Sequence, residues 1–227
     1  MAKPTGGLKP FYSALAVLAV GGIGVLGYLM SHPRRVSIPA NVVVQLSDTL
    51  GFRGYLLGSD SAPIEVTEYA DYQCPQCGAF ATIQFPDVQR RLISTGRVRW
   101  RYRDFPLDNL HSFTRVASHS AACANDQGRY WPQNASIYDG QGEWAISRNA
   151  GDAFRGYAKA NGLDLAAYDA CMASAKFAGR IQASYDEGVA VGVTGTPTFL
   201  INGRLYSGNL AADELVHVVD SLSPVKH

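Results

Sequence analysis

The sequence predicts an α/β domain with a block of helices inserted among its strands, set behind one apolar N-terminal helix. Three observations predict it. The run Phe11 to Met30 holds no charged residue. A strand pattern at Ile64 to Ala70 leads directly into Cys74-Pro75-Gln76-Cys77 and an amphipathic stretch. Mostly helical text from about His111 to Val191 then separates a strand at 98–103 from a hairpin signal at Asn202-Gly203.

The chain has 227 residues, 47% of them apolar, and a formal net charge of +1. That suits one domain with a real core plus a membrane element. There is no basic stripe or arginine-rich arm, so nucleic acid is not an expected partner. No internal repeat or low-complexity tract stands out.

A bilayer-spanning helix needs about 20 apolar residues, which Phe11 to Met30 supplies. No small-x-small cleavage site follows it, so an uncleaved signal-anchor is the reading, with a cleaved signal as its rival. Lys3 and Lys9 precede the run and Arg34 and Arg35 follow it, a balance leaning only slightly toward an outward-facing C-terminal domain. The expected map is a cytoplasmic segment 1–10, a transmembrane helix 11–30, a stalk 31–50 and a folded domain 51–227. Pro33, Pro39 and Val42-Val43-Val44 make the stalk an extended segment or a peripheral strand.

Within the domain, Gly58 to Pro63 reads as a turn and Ile64 to Ala70 as a strand, with Ile64, Val66, Glu68 and Ala70 on one face. A helix opens at the CxxC and runs to about Ser94, kinked at Pro86 and ended by Gly96. Val98 to Arg103 alternates apolar and basic residues, a half-buried strand. The helical block, at about 108–191, divides into segments near 111–126, 128–138, 150–161, 164–173 and 176–191. Strands at 198–202 and 204–206 flank the Asn202-Gly203 turn, and a last helix spans about 211–222.

The CxxC carries the chemistry. Pro75 suits the first helical position, where its missing N–H costs nothing, and this makes Cys74 the N-cap. A thiolate there meets the positive end of the helix dipole and has a lowered pKa. Cys74 is therefore the exchange sulfur and Cys77, one turn on, its resolving partner. The competing use of such a pair is half a zinc site, but the other two cysteines stand far apart in sequence, and no metal or cofactor is expected. Cys123 and Cys171 lie in Ala-rich helical text, either as small buried apolar residues or, in an oxidising compartment, as a structural disulfide. His111 and His119 are eight apart without completing ligands, so both are expected at the surface or as caps. His217 is expected to face water, and Tyr130, Trp131 and Trp144 to pack the helical block.

Three pieces together, Glu68-Tyr69-Ala70-Asp71-Tyr72-Gln73-Cys74-Pro75-Gln76-Cys77, Arg103-Asp104-Phe105-Pro106-Leu107 and Val193-Thr194-Gly195-Thr196-Pro197-Thr198-Phe199, resemble the DsbA-like disulfide oxidoreductases of the thioredoxin superfamily. The resemblance runs from about Gly58 to Leu222. It implies a thioredoxin fold with an inserted helical subdomain. It also makes Pro197 a cis-proline facing the redox disulfide, and Thr196 the backbone that pairs with an extended substrate. Glu68 becomes a buried acid near the resolving cysteine, with a raised pKa and a part in moving its proton; an exposed strand-end glutamate is the plainer alternative. Asp71, on the other strand face, is read as a loop or capping residue.

The resemblance further implies an extracytoplasmic, membrane-tethered, monomeric enzyme that forms disulfides in reduced or unfolded exported proteins. Its recycling partner is expected to be a quinone-linked membrane protein of the DsbB or vitamin K epoxide reductase type. A reductase or isomerase using the same site stays open, as does a chaperone or binding module whose CxxC is merely structural.

Overall fold

The computed structural model describes residues 9–31 and 36–222, with side chains described over 11–25 and 36–222. It divides into two units, residues 1–35 and 36–227.

The first unit contains helix α1 (Lys9–Ser31). Phe11, Leu15, Val17, Leu18, Val20, Ile23 and Val25 are all exposed on it. Among the described residues no helix is long and apolar enough to cross a membrane. The described side chains cover 15 residues, about 22 Å at 1.5 Å per residue, against a hydrocarbon core of about 30 Å. The span expected over Phe11–Met30 thus lies partly outside them.

The second unit starts earlier than the sequence suggested. Ile38 is buried, and Val36, Val42 and Phe52 pack against the core, so residues 36–50 belong with the domain and not to a stalk. Val42–Val44 form no strand; the segment turns instead into a short helix, α2 (Leu46–Thr49). The strands are β1 (Tyr55–Leu57), β2 (Ile64–Ala70), β3 (Val98–Asp104), β4 (Thr198–Ile201) and β5 (Arg204–Ser207). They form one sheet in the order β1-β3-β2-β4-β5. Only the central β2–β3 pair is parallel, pairing Val66 with Trp100 and Ala70 with Asp104. Strand β1, which no alternation announced, pairs antiparallel with β3. The β4–β5 hairpin turns through Asn202 and Gly203, both at positive φ, as a two-residue loop matched to sheet twist requires.

The helical run after β2 departs from the expected kinked helix. It comprises α3 (Pro75–Ala79), a π-helical turn at Phe80–Gln84, α4 (Phe85–Val88) and a second π-helical turn at Gln89–Ile93. Pro86 lies in the first turn of α4, just after the wider π turn closed by Phe85 N–H to Phe80 O. The widened turn accommodates the proline ring and its missing donor, and the chain stays helical through it.

The inserted block holds α5 (Thr114–Asn125), α6 (Tyr130–Asp139), α7 (Gln141–Trp144), α8 (Ala150–Ala160), α9 (Leu165–Ser174) and α10 (Ala178–Ala190); α11 (Ala212–Leu222) closes the chain. One core joins Val66, Phe80, Leu92, Trp100 and Phe199 to Leu215 and Val219 of α11. A second unites the helical block with the β1 side of the sheet, and there Tyr55 stacks on Tyr130 at 3.6 Å between ring centroids. Trp144 packs inside the block, whereas Trp131 reaches out of it, its indole N–H donating to Leu56 O at 2.9 Å. Glu187 of α10 accepts from Arg101 at 2.7 Å and also from Arg103, pinning that helix to β3.

Candidate functional site: a buried thiol pair at the end of the central strand

Strand β2 delivers the site. Its last residues and the following turn carry Glu68, Asp71 and Cys74, and the helix begins at Pro75. Cys74 is the N-cap with extended backbone, as the sequence implied. It is 7% exposed, and Cys77 is fully enclosed. Pro75 and Gln76 between them are exposed. Both cysteines are free thiols in this structure.

The two sulfurs differ sharply in acidity. Cys74 is lowered to about 5, first by a hydrogen bond from the Cys77 thiol, against the opposing effect of burial. Thr196 and the backbone amides of Cys77 and Gln76 lower it further. The Cys74 thiol donates to the Thr196 carbonyl at 3.4 Å, which favours the protonated form. The Thr196 hydroxyl is buried and has no other partner among the described residues, leaving it as the donor toward the thiolate. Burial pushes the Cys77 thiol well up, reinforced by the neighbouring Cys74 charge. The peptide bond between Thr196 and Pro197 is cis. This loop therefore stands directly across from Cys74.

Glu68 is 4% exposed, and its Oε2 accepts the Trp100 indole N–H at 3.0 Å. Desolvation raises it to about 8, although the indole bond favours the charged form. Its charge adds, as a minor influence, to the rise of Cys77. The exposed-glutamate alternative does not hold here.

Cys123 and Cys171 are joined by a disulfide with Cα atoms 5.9 Å apart, tying α5 to α9. His119 is fully buried beside it, which corrects the surface placement. Helix α5 turns it inward, so burial lowers it to about 4 and keeps it neutral. Its Nε2 accepts the Phe177 N–H at 3.2 Å, which places the ring hydrogen on Nδ1, 3.4 Å from both Cys123 Sγ and Met172 Sδ. His111 is also misplaced by the surface reading: it is only partly exposed and pairs with Asp71 at 2.9 Å. His217 is exposed, as expected.

Several residues at the site had no sequence signal. Gln141 donates to the carbonyls of Tyr72 and Cys74 at 2.7 and 2.9 Å, satisfying the turn that presents the thiol. It reaches in because Gly78 has no side chain: a Cβ there would lie 2.3 Å from the Gln141 amide oxygen. Gln73 accepts from Phe113 N–H at 2.8 Å and donates to Ala145 O at 3.2 Å. Asp71 caps the turn through Gln73 N–H at 2.7 Å and holds Leu107 N–H at 2.7 Å. That is the loop or capping role read for Asp71 from the sequence.

Residues 53–221 match a family model described as Thioredoxin. A protein named Na(+)/H(+) antiporter NhaA 1, from Salinispora arenicola, is 33% identical over 169 residues, covering 74% of this chain and 24% of its own length. The chain thus spans about a quarter of the first curated relatives it matches. Disulfide bond formation protein D of Bacillus subtilis is 22% identical, with 73% of this chain and 75% of that protein covered. Among solved structures, alpha-DsbA1 of Wolbachia pipientis superposes with a TM-score of 0.66 at 24% identity, covering 74% of this chain and 89% of that one. That likeness includes the inserted helical region, so the fold is the DsbA-like form. On the family match across most of its length, the chain belongs to the thioredoxin family.

Proposed function

We propose that this chain is an extracytoplasmic thiol:disulfide oxidoreductase, working as an oxidase that forms disulfides in exported proteins. The observation that carries the reading is the asymmetry of the pair: Cys74 lowered to about 5 and Cys77 raised well above its ordinary value. A stabilised Cys74 thiolate is a good leaving group, which favours passing the disulfide on.

In the oxidised enzyme a substrate thiolate attacks Cys74 Sγ, and the Cys74–Cys77 bond breaks with its electron pair on Cys77. Protonated Glu68 supplies the proton Cys77 takes up in its enclosed space. A second substrate thiolate attacks the substrate sulfur of the mixed disulfide, and Cys74 leaves as a thiolate. The substrate gains one disulfide and the enzyme two electrons. Thr196, beside the sulfur, offers backbone for pairing with an extended chain. Leu110 and Ile146, 75% and 86% exposed on loops held by Gln73 and Asp71, add apolar contacts suited to unfolded protein.

The uncharged run Phe11 to Met30 supports a membrane tether, and the name of the Bacillus subtilis relative supports a role in disulfide formation. The two electrons would pass to a quinone-linked membrane partner of the DsbB or vitamin K epoxide reductase type, with the enzyme monomeric. Equilibration of the Cys74–Cys77 couple against glutathione tests the direction. An oxidase holds its dithiol form against a large excess of oxidised glutathione. A couple as reducing as a structural disulfide, below about −300 mV, ends the oxidase reading and leaves the reductase.

A further inference from the structure

Asp71 belongs to the turn that carries β2 into the thiol pair, and none of it reaches solvent. The Cys74 N–H bonds back to the Asp71 carbonyl at 3.1 Å, so acid and reactive cysteine share one closed turn. The Asp71 carboxylate takes Gln73 N–H on Oδ1 and Leu107 N–H on Oδ2, both at 2.7 Å. Oδ2 also faces His111 Nδ1 at 2.9 Å. With Phe113 N–H on Gln73, the loop 107–113 is fastened to the CxxC turn on both sides of His111.

This arrangement ties a titratable side chain, through Asp71, to the turn that carries the reactive sulfur. A buried carboxylate is costly without a positive partner, and His111, when protonated, is the ion-pair partner the structure gives Asp71. Pro75 and Gln76, inside the motif, carry no charge. His111 is raised above its ordinary value first by the Asp71 hydrogen bond, against burial, and then by the charges of Asp71 and Cys74. Such coupling is mutual: if the Cys74 thiolate favours the imidazolium, the imidazolium favours the thiolate. Asp71 and Cys74 are the titratable groups that act on His111; Asp108, on the same loop, is engaged by Arg115 at 2.8 Å.

We propose that His111, oriented by Asp71, is the cation that stabilises the reduced Cys74 sulfur, and that its charge state shifts the exchange equilibrium of the thiol pair between mildly acid and alkaline pH. The proposal rests on the redox reading above. Asp71 acts through His111 and is a positioning residue.

The test begins with the full chain unaltered. The His111 ring proton is titrated by NMR in the oxidised and reduced forms, which differ in whether Cys74 can carry charge. Mutual stabilisation requires a higher His111 pKa in the reduced form, and equal values overturn the proposal. The second arm compares H111Q and H111K with wild type. In H111Q, the 240 nm thiolate absorbance is expected to titrate about half a unit to one unit higher. The equilibrium constant against glutathione should change about threefold or more at pH 6 and converge with wild type toward pH 9 as His111 gives up its proton. H111K, charged at both pH values, should restore the pH 6 value. An H111Q offset equal at pH 6 and pH 9 would mean a displaced loop and not a lost charge, and would sink the idea. A wild-type couple too reducing for an oxidase would end the functional reading while leaving both titrations interpretable.

Discussion

The indole N–H of Trp100 donates to Glu68 Oε2 at 3.0 Å across the parallel β2–β3 pair. It gives a fully enclosed carboxyl a single donor, which limits without cancelling the cost of charging it. Glu68 therefore sits at about 8 in the folded protein. Its ordinary value in the unfolded chain is about 4.3. A raised folded pKa means the folded state binds the proton more tightly, so stability from this group is complete below the unfolded value and is lost as pH rises toward 8. Between pH 5 and 8, E68Q is expected to gain on wild type by roughly 3–5 kcal/mol in urea unfolding. Asp104, raised to about 6 by burial, acts in the same direction but is common to both proteins. A constant difference across that range would show that Glu68 does not titrate there. Exchange by E68Q is expected to slow near neutral pH, and an unchanged rate profile would remove Glu68 from proton transfer.

The Cys74 thiolate gives a direct optical readout. Because the lowering is to about 5, alkylation of Cys74 in the reduced chain should be flat from pH 6.5 to 8 and fall below pH 5. T196V removes the hydroxyl and should move that fall upward. C74S should abolish exchange, whereas C77S should accumulate the mixed disulfide, seen as an intact adduct mass. A C74S protein that still oxidises reduced substrates would take the exchange role from Cys74.

The second disulfide should contribute to stability without contributing to exchange. It closes a sequence separation of 48 residues. The chain-entropy model assigns such a loop at most about 4 kcal/mol. C123A/C171A is therefore expected to melt lower, by at most about 8–16 °C, while keeping the Cys74 titration unchanged. Free-thiol counting on the oxidised, denatured chain provides the companion check, since two reactive thiols would contradict the bridge.

Gly78 and Gly142 make a contrasting pair. A Cβ at Gly78 collides with the Gln141 amide, whereas Gly142 has nothing within 4 Å. G78A is expected to cost about 1–3 kcal/mol and to loosen the turn that Gln141 holds. G142A should be neutral or slightly stabilising in thermal melts, because alanine is the better helix former. Equal effects would show that Gln141 yields without consequence.

Much of the fold was legible because it rests on local rules. Period-2 alternation marked β2 and β3, Asn202-Gly203 marked the hairpin, and Pro75 after Cys74 marked the helix start. Strand β1 was missed because Tyr55–Leu57 is too short to show alternation, and its pairing with β3 is a long-range event. Residues 36–50 read as a stalk because Pro39 and the polar residues around it hide what Ile38 buries. The π turns were invisible because a widened turn depends on how Phe80 and Phe85 pack under the sheet, not on propensity.

By itself the sequence determined the thiol pair and its place at a helix start, which depend on residue identity at fixed spacing; the cis-proline loop came only through the resemblance to a known family, and the structure supplies its cis bond. Tertiary structure alone decided that Glu68 is enclosed under Trp100, that His119 lies against a disulfide, and that Asp71, in the turn before Cys74, holds His111. Each of those is an electrostatic fact about groups far apart in the chain. Burial and through-space charge are set only when the helical block and the loop 107–113 close over the end of β2.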